Sequence, residues 1–277
     1  MSGSAPSIEV ALVQVAPEFG NPSGNLDRVE ALLGDTEAAL VVLPELVTSG
    51  YSFVDRNEVR AASESFPKGP TTQRLVELSK RTGGFIVAGF VERDGEGLFN
   101  AAVIVAAGEP LGTYRKVHLF GFEREVFDGG DRPFAVHEHD GLMVGTMICF
   151  DWVYPEAARS LALLGADVIA HPSNLVLPGR CQAAMPIRAM ENLVATATAN
   201  RHGVEHREPR PKLVFTGESL LVEGGGRVVA RGPASGDAVV RGRIDLGASR
   251  LKRFPSGNDL FVERRPDLYV DWSSQVE

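Results

Sequence analysis

Residues 142–156 read Leu-Met-Val-Gly-Thr-Met-Ile-Cys-Phe-Asp-Trp-Val-Tyr-Pro-Glu, and they join an apolar run to the start of a helix. The run 142–148 has the length and composition of a buried strand. Pro155 suits the first turn of a helix, where its missing N–H costs nothing, and apolar residues recur at helical spacing as far as Leu164. Cys149 therefore lies where a buried strand gives way to a helix. In α/β sheets, ligands collect at that carboxyl end of a strand.

The sequence around Cys149 allows two interpretations. A thiol at the end of a strand can face a pocket, close to the N–H groups and the positive dipole end of the following helix. A buried cysteine can equally be a small apolar side chain of the core. This segment does not distinguish the two interpretations, and residues elsewhere in the sequence are needed to choose between them.

The composition is that of an ordinary globular protein. The 277 residues are 44% hydrophobic and 23% charged, with a net charge of −8, which argues against a nucleic-acid or anionic-membrane surface. Cys149 and Cys181 are the two cysteines, too few for a disulfide framework and compatible with a reducing cytosol. The first seven residues lack the features of a signal peptide, and no apolar run approaches the roughly 20 residues of a membrane span. We expect a cytoplasmic protein.

The order of the predicted elements indicates one α/β domain over residues 1–277. Strands and helices alternate towards both ends, and an antiparallel meander over about 85–115 lies between them. No linker, repeat or low-complexity segment marks a boundary. The tail from about residue 249 to 277 mixes basic and aromatic residues, and we expect this C-terminal arm to pack across a surface such as that of a partner subunit.

Three polar residues follow predicted strands. Glu45 follows the apolar run 40–43, Lys116 follows the run 111–115, and Cys149 follows the run discussed above. If these strands share a polarity, the three side chains meet at one rim. A desolvated carboxylate can act as base for a thiol, and an ammonium can hold the oxyanion of a tetrahedral intermediate. The three residues together predict an acyl-transfer site.

Three segments of the chain carry a resemblance to a known family. They are residues 43–45 (Leu-Pro-Glu), 114–119 (Tyr-Arg-Lys-Val-His-Leu) and 145–151 (Gly-Thr-Met-Ile-Cys-Phe-Asp), the last followed by Pro155-Glu156. In order, spacing and local context they resemble the signature segments of the nitrilase superfamily of carbon–nitrogen hydrolases. The resemblance extends from about Ile8 to Asp245.

The resemblance implies a role for each matching residue. Glu45 corresponds to the family's general base, Lys116 to its oxyanion-stabilising cation and Cys149 to its nucleophile. A second glutamate often follows the lysine segment, and Glu123 is the better candidate, with Glu125 in reserve. The family usually shows Pro-Gly after this point. Here residues 128–131 read Asp-Gly-Gly-Asp, a departure that concerns the loop near the pocket and leaves the triad intact.

The resemblance also implies a mechanism that requires no metal and no organic cofactor. Glu45 takes the thiol proton, the thiolate attacks an amide carbon, and Lys116 and the backbone N–H of Phe150 hold the oxyanion. Water then hydrolyses the resulting thioester. Residues placed by sequence to line the substrate pocket are Tyr51, Phe122, Trp152, Tyr154, Ser173 and Asn174.

The fold implied by the resemblance is a four-layer α-β-β-α sandwich. Two such subunits usually pair in the family, which predicts a homodimer or a higher assembly of dimers. The expected activity is an amidase that releases ammonia from a small aliphatic amide. Phe150-Asp151 after the cysteine, rather than the Trp-Glu pair frequent in dedicated nitrilases, favours an amidase. The alternatives are an aliphatic nitrilase, an N-carbamoyl amide hydrolase and, from a different class, a catalytically idle scaffold.

Two histidine pairs have a spacing that could serve metal ligands. His137 and His139 share a face if they lie on a strand, whereas Gly203 interrupts a helix that would align His202 with His206. Neither pair has a third ligand at metal-site spacing. We expect no metal site.

Overall fold

The computed structural model describes residues 7–269. The strands are β1 (Ser7–Gln14), β2 (Leu40–Val42), β3 (Phe85–Asp94), β4 (Gly97–Ala106), β5 (Glu109–Arg115), β6 (Val136–His139), β7 (Leu142–Thr146), β8 (Val168–Ser173), β9 (Ala195–Asn200), β10 (His202–Glu205), β11 (Leu213–Thr216), β12 (Leu220–Val222), β13 (Val228–Arg231) and β14 (Ala238–Asp245). The α-helices are α1 (Pro22–Leu33), α2 (Arg56–Ala62), α3 (Pro70–Thr82), α4 (Glu123–Val126), α5 (Pro155–Leu163), α6 (Arg180–Asn192) and α7 (Gly247–Leu251).

Twelve of these strands form two six-stranded sheets. The first has the order β14-β1-β2-β3-β4-β5 and the second the order β13-β12-β9-β8-β7-β6. In the first sheet β1, β2 and β3 run parallel, and β3, β4 and β5 form the antiparallel meander that the sequence predicted. In the second sheet β7, β8 and β9 run parallel. Strands β10 and β11 pair separately as a small antiparallel ribbon.

Helices cover the outer face of each sheet. Helix α1 buries Leu26, Val29 and Leu33 at helical spacing, and together with α3 these side chains pack on alternate residues of the first sheet. Helices α5 and α6 cover the second sheet with small and apolar residues such as Ala158 and Met185. The opposite faces of the two sheets pack on each other, for example where Gly242 of β14 lies against the side chain of Leu221 in β12. The four layers are therefore α-β-β-α, which confirms the predicted fold class.

Two asparagines lie near the start of α1, and only one of them caps it. The cap is Asn21, whose side chain accepts a hydrogen bond from the Gly24 N–H. Asn25 is buried inside the helix and donates to the carbonyl oxygens of Glu18 and Thr48. Its side chain thus ties the helix to the loop that follows β2, a long-range contact that overrides its capping preference.

The C-terminal arm is described as far as Tyr269, and its remaining residues 270–277 lie outside the described part of the chain. Lys252 anchors its beginning, because Nζ donates to the carbonyl oxygen of Leu193 at 2.8 Å, just beyond the end of α6. Phe261 packs against the main core. Within residues 7–269, no helix is both long enough and apolar enough to cross a membrane.

Candidate active site

Glu45 lies just beyond β2 and is completely buried. Its Oε1 accepts hydrogen bonds from Lys116 Nζ at 2.6 Å and from Asn100 Nδ2 at 2.8 Å. Its Oε2 is buried and has no hydrogen-bond partner among residues 7–269. Gly89 of β3 permits this packing, since a Cβ there would come within 2.2 Å of the Leu46 nitrogen. The carboxylate is therefore held by one oxygen and leaves the other uncommitted.

Lys116 lies at the end of β5 and is 1% exposed. The Nζ atom lies between two carboxylates, 2.6 Å from Glu45 Oε1 and 2.8 Å from Glu123 Oε1. Burial lowers the pKa of the amine, but the negative charges of Glu123 and Glu45 outweigh it, and the net shift is upward. The side chain is thus a fixed cation inside the protein.

Glu123 is the first residue of α4 and is completely buried. Its Oε1 accepts hydrogen bonds from Lys116 and from the Tyr51 hydroxyl, the latter at 2.5 Å, and its Oε2 accepts from the Phe120 N–H at 3.1 Å. Burial raises the pKa of this carboxyl, although Lys116 opposes the shift. Glu125 instead points to solvent and pairs with Arg210 at 2.6 Å. The structure therefore brings Glu123, and not Glu125, to the lysine.

Cys149 opens a 3₁₀ turn over Cys149–Val153 with a φ of +41°. Such a left-handed conformation is uncommon for a residue with a side chain and marks a position that its surroundings over-determine. Burial raises the pKa of the thiol well above its ordinary value, and the carboxylate of Glu45 adds to the rise, whereas Lys116 opposes it. The thiol is therefore uncharged near neutral pH.

Asp151, two residues after the thiol, holds this turn in place. Its Oδ2 accepts hydrogen bonds from the Ile148 N–H at 2.8 Å and from the Tyr114 hydroxyl at 2.7 Å. Its Oδ1 accepts from the His118 N–H and lies 2.7 Å from His118 Nδ1. A single buried carboxylate thus links the turn that begins at Cys149 to the strand end that carries Lys116.

A small pocket opens beside the thiol. A water-sized sphere can occupy about 20 Å³ of it. The residues that line it are Phe120, Cys149, Phe150, Trp152, Asn174, Leu175, Val176 and Leu177. None of these side chains is charged, and the walls are mostly apolar and aromatic.

The chain is similar to known proteins along nearly its whole length. The family described as carbon-nitrogen hydrolase matches residues 9–254. The chain belongs to this family, within the nitrilase superfamily. A protein from Pyrococcus abyssi named nitrilase is 44% identical over 265 residues, covering 95% of this chain and 99% of its own.

Two further relatives of this carbon–nitrogen hydrolase are named amidases. The N-carbamoylputrescine amidase of Arabidopsis thaliana is 30% identical, with 89% of each chain covered. The crystal structure of an amidase from a Nesterenkonia species superimposes with a TM-score of 0.77 at 25% identity, covering 97% of this chain and 96% of that one. The enzyme class is therefore a hydrolase acting on carbon–nitrogen bonds.

The predicted pocket residues of this hydrolase lie in three places. Trp152 and Asn174 line the pocket with the thiol and with Phe150. Tyr51 and Phe122 lie against each other beside Glu123, with ring centroids 5.5 Å apart. The other two are not among the residues that line this pocket: the ring of Tyr154 stacks on that of His118 at a centroid distance of 3.6 Å, and the completely buried Ser173 lies beside His171, its Oγ 3.2 Å from Nε2.

Sequence reasoning missed several polar residues of the site. Asn100, which orients Glu45, lies within the apolar strand β4. His171 lies in β8, and its Nε2 is 2.9 Å from the Cys149 carbonyl oxygen. The one signal available was a polar residue inside an otherwise apolar strand, since buried polar side chains are retained with partners. Among the described residues, no group of three His, Cys, Asp or Glu side chains is placed to hold a metal ion.

Proposed function

We propose that this carbon–nitrogen hydrolase is an amidase that releases ammonia from a small, neutral aliphatic amide through a thioester on Cys149. The observation that carries the proposal is the state of Glu45. One carboxylate oxygen is held by Lys116 and Asn100, and the other is buried without a partner among residues 7–269, near enough to Cys149 to raise the pKa of the thiol. That oxygen is the one available to accept the thiol proton.

In the acylation step Glu45 accepts the proton of Cys149, and the sulfur attacks the amide carbon. A carbon–sulfur bond forms, and the carbonyl electron pair moves to oxygen. The ammonium of Lys116 and the backbone N–H of Phe150 stabilise the oxyanion. Glu45 then returns its proton to the nitrogen, the carbon–nitrogen bond breaks and ammonia leaves.

In the deacylation step Glu45 accepts a proton from water, and the hydroxide oxygen attacks the thioester carbon. The oxyanion is held as before, the carbon–sulfur bond breaks, and the thiol regains its proton from Glu45. Glu123 contacts Lys116 throughout, because its Oε1 accepts a hydrogen bond of 2.8 Å from Nζ. This contact keeps the cation charged and aimed at the reacting oxygen.

The pocket supports a small neutral substrate. Its walls beside Cys149 are aromatic and aliphatic, and none of the described residues lining it carries a charge. A substrate with an ammonium or a carboxylate at its far end would have to bury that charge unpaired, which is strongly unfavourable. A short aliphatic acyl group gains instead from contact with Trp152 and Leu175.

An ammonia-release screen tests the proposal. Short aliphatic amides, the matching nitriles and N-carbamoyl amines are offered to the wild type and to Cys149→Ala, and intact-protein mass spectrometry follows acyl adducts. We expect ammonia and carboxylic acid from the amides, with an adduct that maps to Cys149. Activity that survives in Cys149→Ala contradicts the nucleophile. Uniform inactivity of folded protein favours a catalytically idle scaffold.

Nitrile hydrolysis is the second candidate. It is favoured by the relative from Pyrococcus abyssi that is named nitrilase and shares 44% of its residues with this chain. The same thiol would add to the nitrile carbon to give a thioimidate, and water would release ammonia and leave a thioester. Turnover of nitriles at a higher kcat/KM than that of the matching amides would select this candidate.

N-carbamoyl hydrolysis is favoured by several relatives that are named N-carbamoylputrescine amidase, and not by the pocket. The Arabidopsis protein named N-carbamoylputrescine amidase is 30% identical to this chain. The substrate in that name carries a primary amine, which is a cation at neutral pH. The uncharged pocket beside Cys149 offers it no counter-ion among the described residues.

We also propose a homodimer, or an assembly of dimers, in the cytoplasm. Helices α5 and α6 expose Leu163 and Ile187, which are 43% and 47% accessible, and the arm adds Val262 at 81%. Apolar side chains of this size on neighbouring elements suit an interface between copies. Light scattering coupled to size exclusion measures the mass, and a monomer at micromolar concentration would contradict the proposal.

A further inference from the structure

Glu205 holds the loop that carries Tyr51. It ends β10, is 7% exposed and lies 154 residues from that loop in sequence. Its Oε1 accepts hydrogen bonds from the backbone N–H groups of Ser52 at 2.5 Å and of Tyr51 at 3.1 Å. Gly50 lets the chain pass close to the carboxylate, because a Cβ there would meet Phe19 at 2.9 Å and Glu205 Oε2 at 3.1 Å. One carboxylate thus fixes two consecutive peptide units.

Arg201 balances the charge of Glu205. Its Nη2 donates to Glu205 Oε2 at 2.8 Å, and its side chain is 2% exposed. The guanidinium also lies 4.1 Å above the ring of Phe215. Burial lowers the pKa of Arg201 and the charge of Glu205 opposes that shift. The pair is therefore built into the protein interior and is not a solvated surface contact.

The other end of Tyr51 reaches the catalytic cluster. Its ring lies between Phe122 and Phe215, with centroid distances of 5.5 Å and 6.0 Å. Its hydroxyl donates to Glu123 Oε1, the same oxygen that accepts from Lys116. The backbone of Tyr51 is thus fixed by Glu205 and its hydroxyl by Glu123.

We propose that Glu205 is a positioning residue for the hydrolase reaction, acting on Lys116 through the Tyr51 hydroxyl and Glu123. The inference rests on the proposed function of the cluster. A buried ion pair is a weak source of stability, because desolvation of both charges offsets their attraction. Its specific effect here is geometric: it aims one hydroxyl at the carboxylate that holds the lysine.

The position of the Tyr51 hydroxyl against Glu123 affects the pH dependence of the site. The charged and titratable groups around Glu123 are Lys116, Glu45, Cys149, Tyr51 and, beyond the tyrosine, Arg201. The Tyr51 hydroxyl stabilises the ionised form of Glu123, so losing it makes the cluster of Glu45, Lys116 and Glu123 take up a proton at higher pH. Deleting the negative charge of Glu205 alone would act in the opposite direction, because it removes repulsion of the two carboxylates.

A double-mutant cycle tests the proposal. The variants are Glu205→Gln, Tyr51→Phe and the double variant, with Arg201→Met/Glu205→Gln as a second form of the disrupted pair should Glu205→Gln fail to fold. Glu58→Gln is the matched control, because Glu58 and Arg207 hold the same loop through Val54 and Ser52 without touching Tyr51. Two readouts are measured against pH: amide turnover, and the rate at which iodoacetamide alkylates Cys149.

We expect Glu205→Gln and Tyr51→Phe each to lower kcat roughly tenfold or more with a smaller change in KM. Both should move the acid limb of the alkylation profile to higher pH, and their effects should not add in the double variant. Glu58→Gln should leave that limb unchanged. A limb that moves to lower pH in Glu205→Gln, or fully additive effects, would overturn the proposal.

The alkylation readout needs no substrate. If Cys149 of the wild type is alkylated with the expected pH profile but the protein turns over no amide, nitrile or carbamoyl compound, the proposed function is contradicted. The alkylation data still test the positioning of Glu123 in that case. Unchanged alkylation in the folded variants contradicts the positioning role alone.

Discussion

The carbonyl oxygen of Cys149 lies 2.9 Å from Nε2 of His171, a completely buried side chain of the neighbouring strand. Because a carbonyl can only accept, Nε2 must carry the proton, and Nδ1 then accepts from the Thr198 hydroxyl at 3.0 Å. This neutral tautomer holds the peptide of Cys149, the one residue of the 3₁₀ turn Cys149–Val153 whose φ is positive. The histidine therefore fixes the backbone from which the thiol projects.

The first prediction concerns this histidine and acid stability. Burial lowers the pKa of His171 from 6.5 to about 4. Between these two values the unfolded chain binds a proton that the native protein does not, so the free energy of unfolding falls as the pH drops from 6.5 to 4. The loss is about 3 kcal/mol for this single group. Chemical denaturation at several pH values measures it.

The control for this prediction is His171→Gln, which keeps a donor for the Cys149 carbonyl oxygen and does not titrate in this range. The variant should be less stable at pH 7, yet its stability should depend less on pH between 6.5 and 4. Equal pH dependence in both proteins would show that His171 is already protonated in the native state or that other groups govern the transition.

The second prediction separates the two cysteines. Cys149→Ala should lower turnover by more than about 10³-fold while the thermal midpoint changes little, because the nucleophile is lost and the packing is kept. Cys181 is buried in α6 at 1% exposure, and burial raises the pKa of its thiol. Cys181→Ala should therefore retain turnover. Peptide mapping after treatment with iodoacetamide should find the label on Cys149 in the native protein, and equal labelling of both thiols would contradict this assignment.

The third prediction compares two glutamates of one short helix. Glu123 contacts Lys116 at 2.8 Å, whereas the side chain of Glu125 is 64% exposed and pairs with Arg210. Glu123→Gln removes one of the two charges that keep Lys116 protonated, and kcat should fall roughly 10- to 100-fold. Glu125→Gln should leave kcat within about twofold, since an exposed ion pair contributes little. Steady-state kinetics of both variants decides, and a larger loss in Glu125→Gln would reverse the assignment.

Strand ends were the part of the site that the sequence could predict. Apolar runs identify β2 and β7, the antiparallel meander identifies β5, and a polar residue directly after a predicted strand can be recognised without knowledge of the fold. The structure accordingly brings Glu45 and Lys116, 71 residues apart, to a distance of 2.6 Å. The layers follow from the spacing of the apolar residues, since the sheets are apolar on both faces and each helix is apolar on one.

Contacts between distant loops could not be predicted from the sequence. Glu205 reaches Tyr51 across 154 residues, and Asn100 reaches Glu45 across 55. Local patterns carry no information on such pairs, because each depends on how separate turns pack. The cap of α1 is a further example. Asn21 caps this helix, whereas the side chain of Asn25 donates to the carbonyl oxygen of Thr48, a contact that the local sequence does not indicate.

The fourth prediction concerns Asp151 and uses a matched aspartate. Asp151→Asn replaces one acceptor oxygen by an NH2 group, which then faces either the donors at Ile148 and Tyr114 or those of His118. Losing two hydrogen bonds to a buried charge should lower the free energy of unfolding by about 3 kcal/mol. Because the same contacts join the Cys149 turn to the end of β5, kcat should fall as well. Urea unfolding and steady-state kinetics measure the two effects.

Asp167 is the matched residue at the opposite end of the same sheet. It is 3% exposed, accepts from the Met143 N–H at 3.1 Å and pairs with Arg250 at 3.0 Å. It lies before β8, whereas the Cys149 turn follows the parallel strand β7 at its far end. Asp167→Asn should therefore lose stability with kcat unchanged. If both variants lose kcat in proportion to stability, Asp151 acts only by supporting the fold, and its link between the nucleophile turn and the lysine strand has no separate effect on turnover.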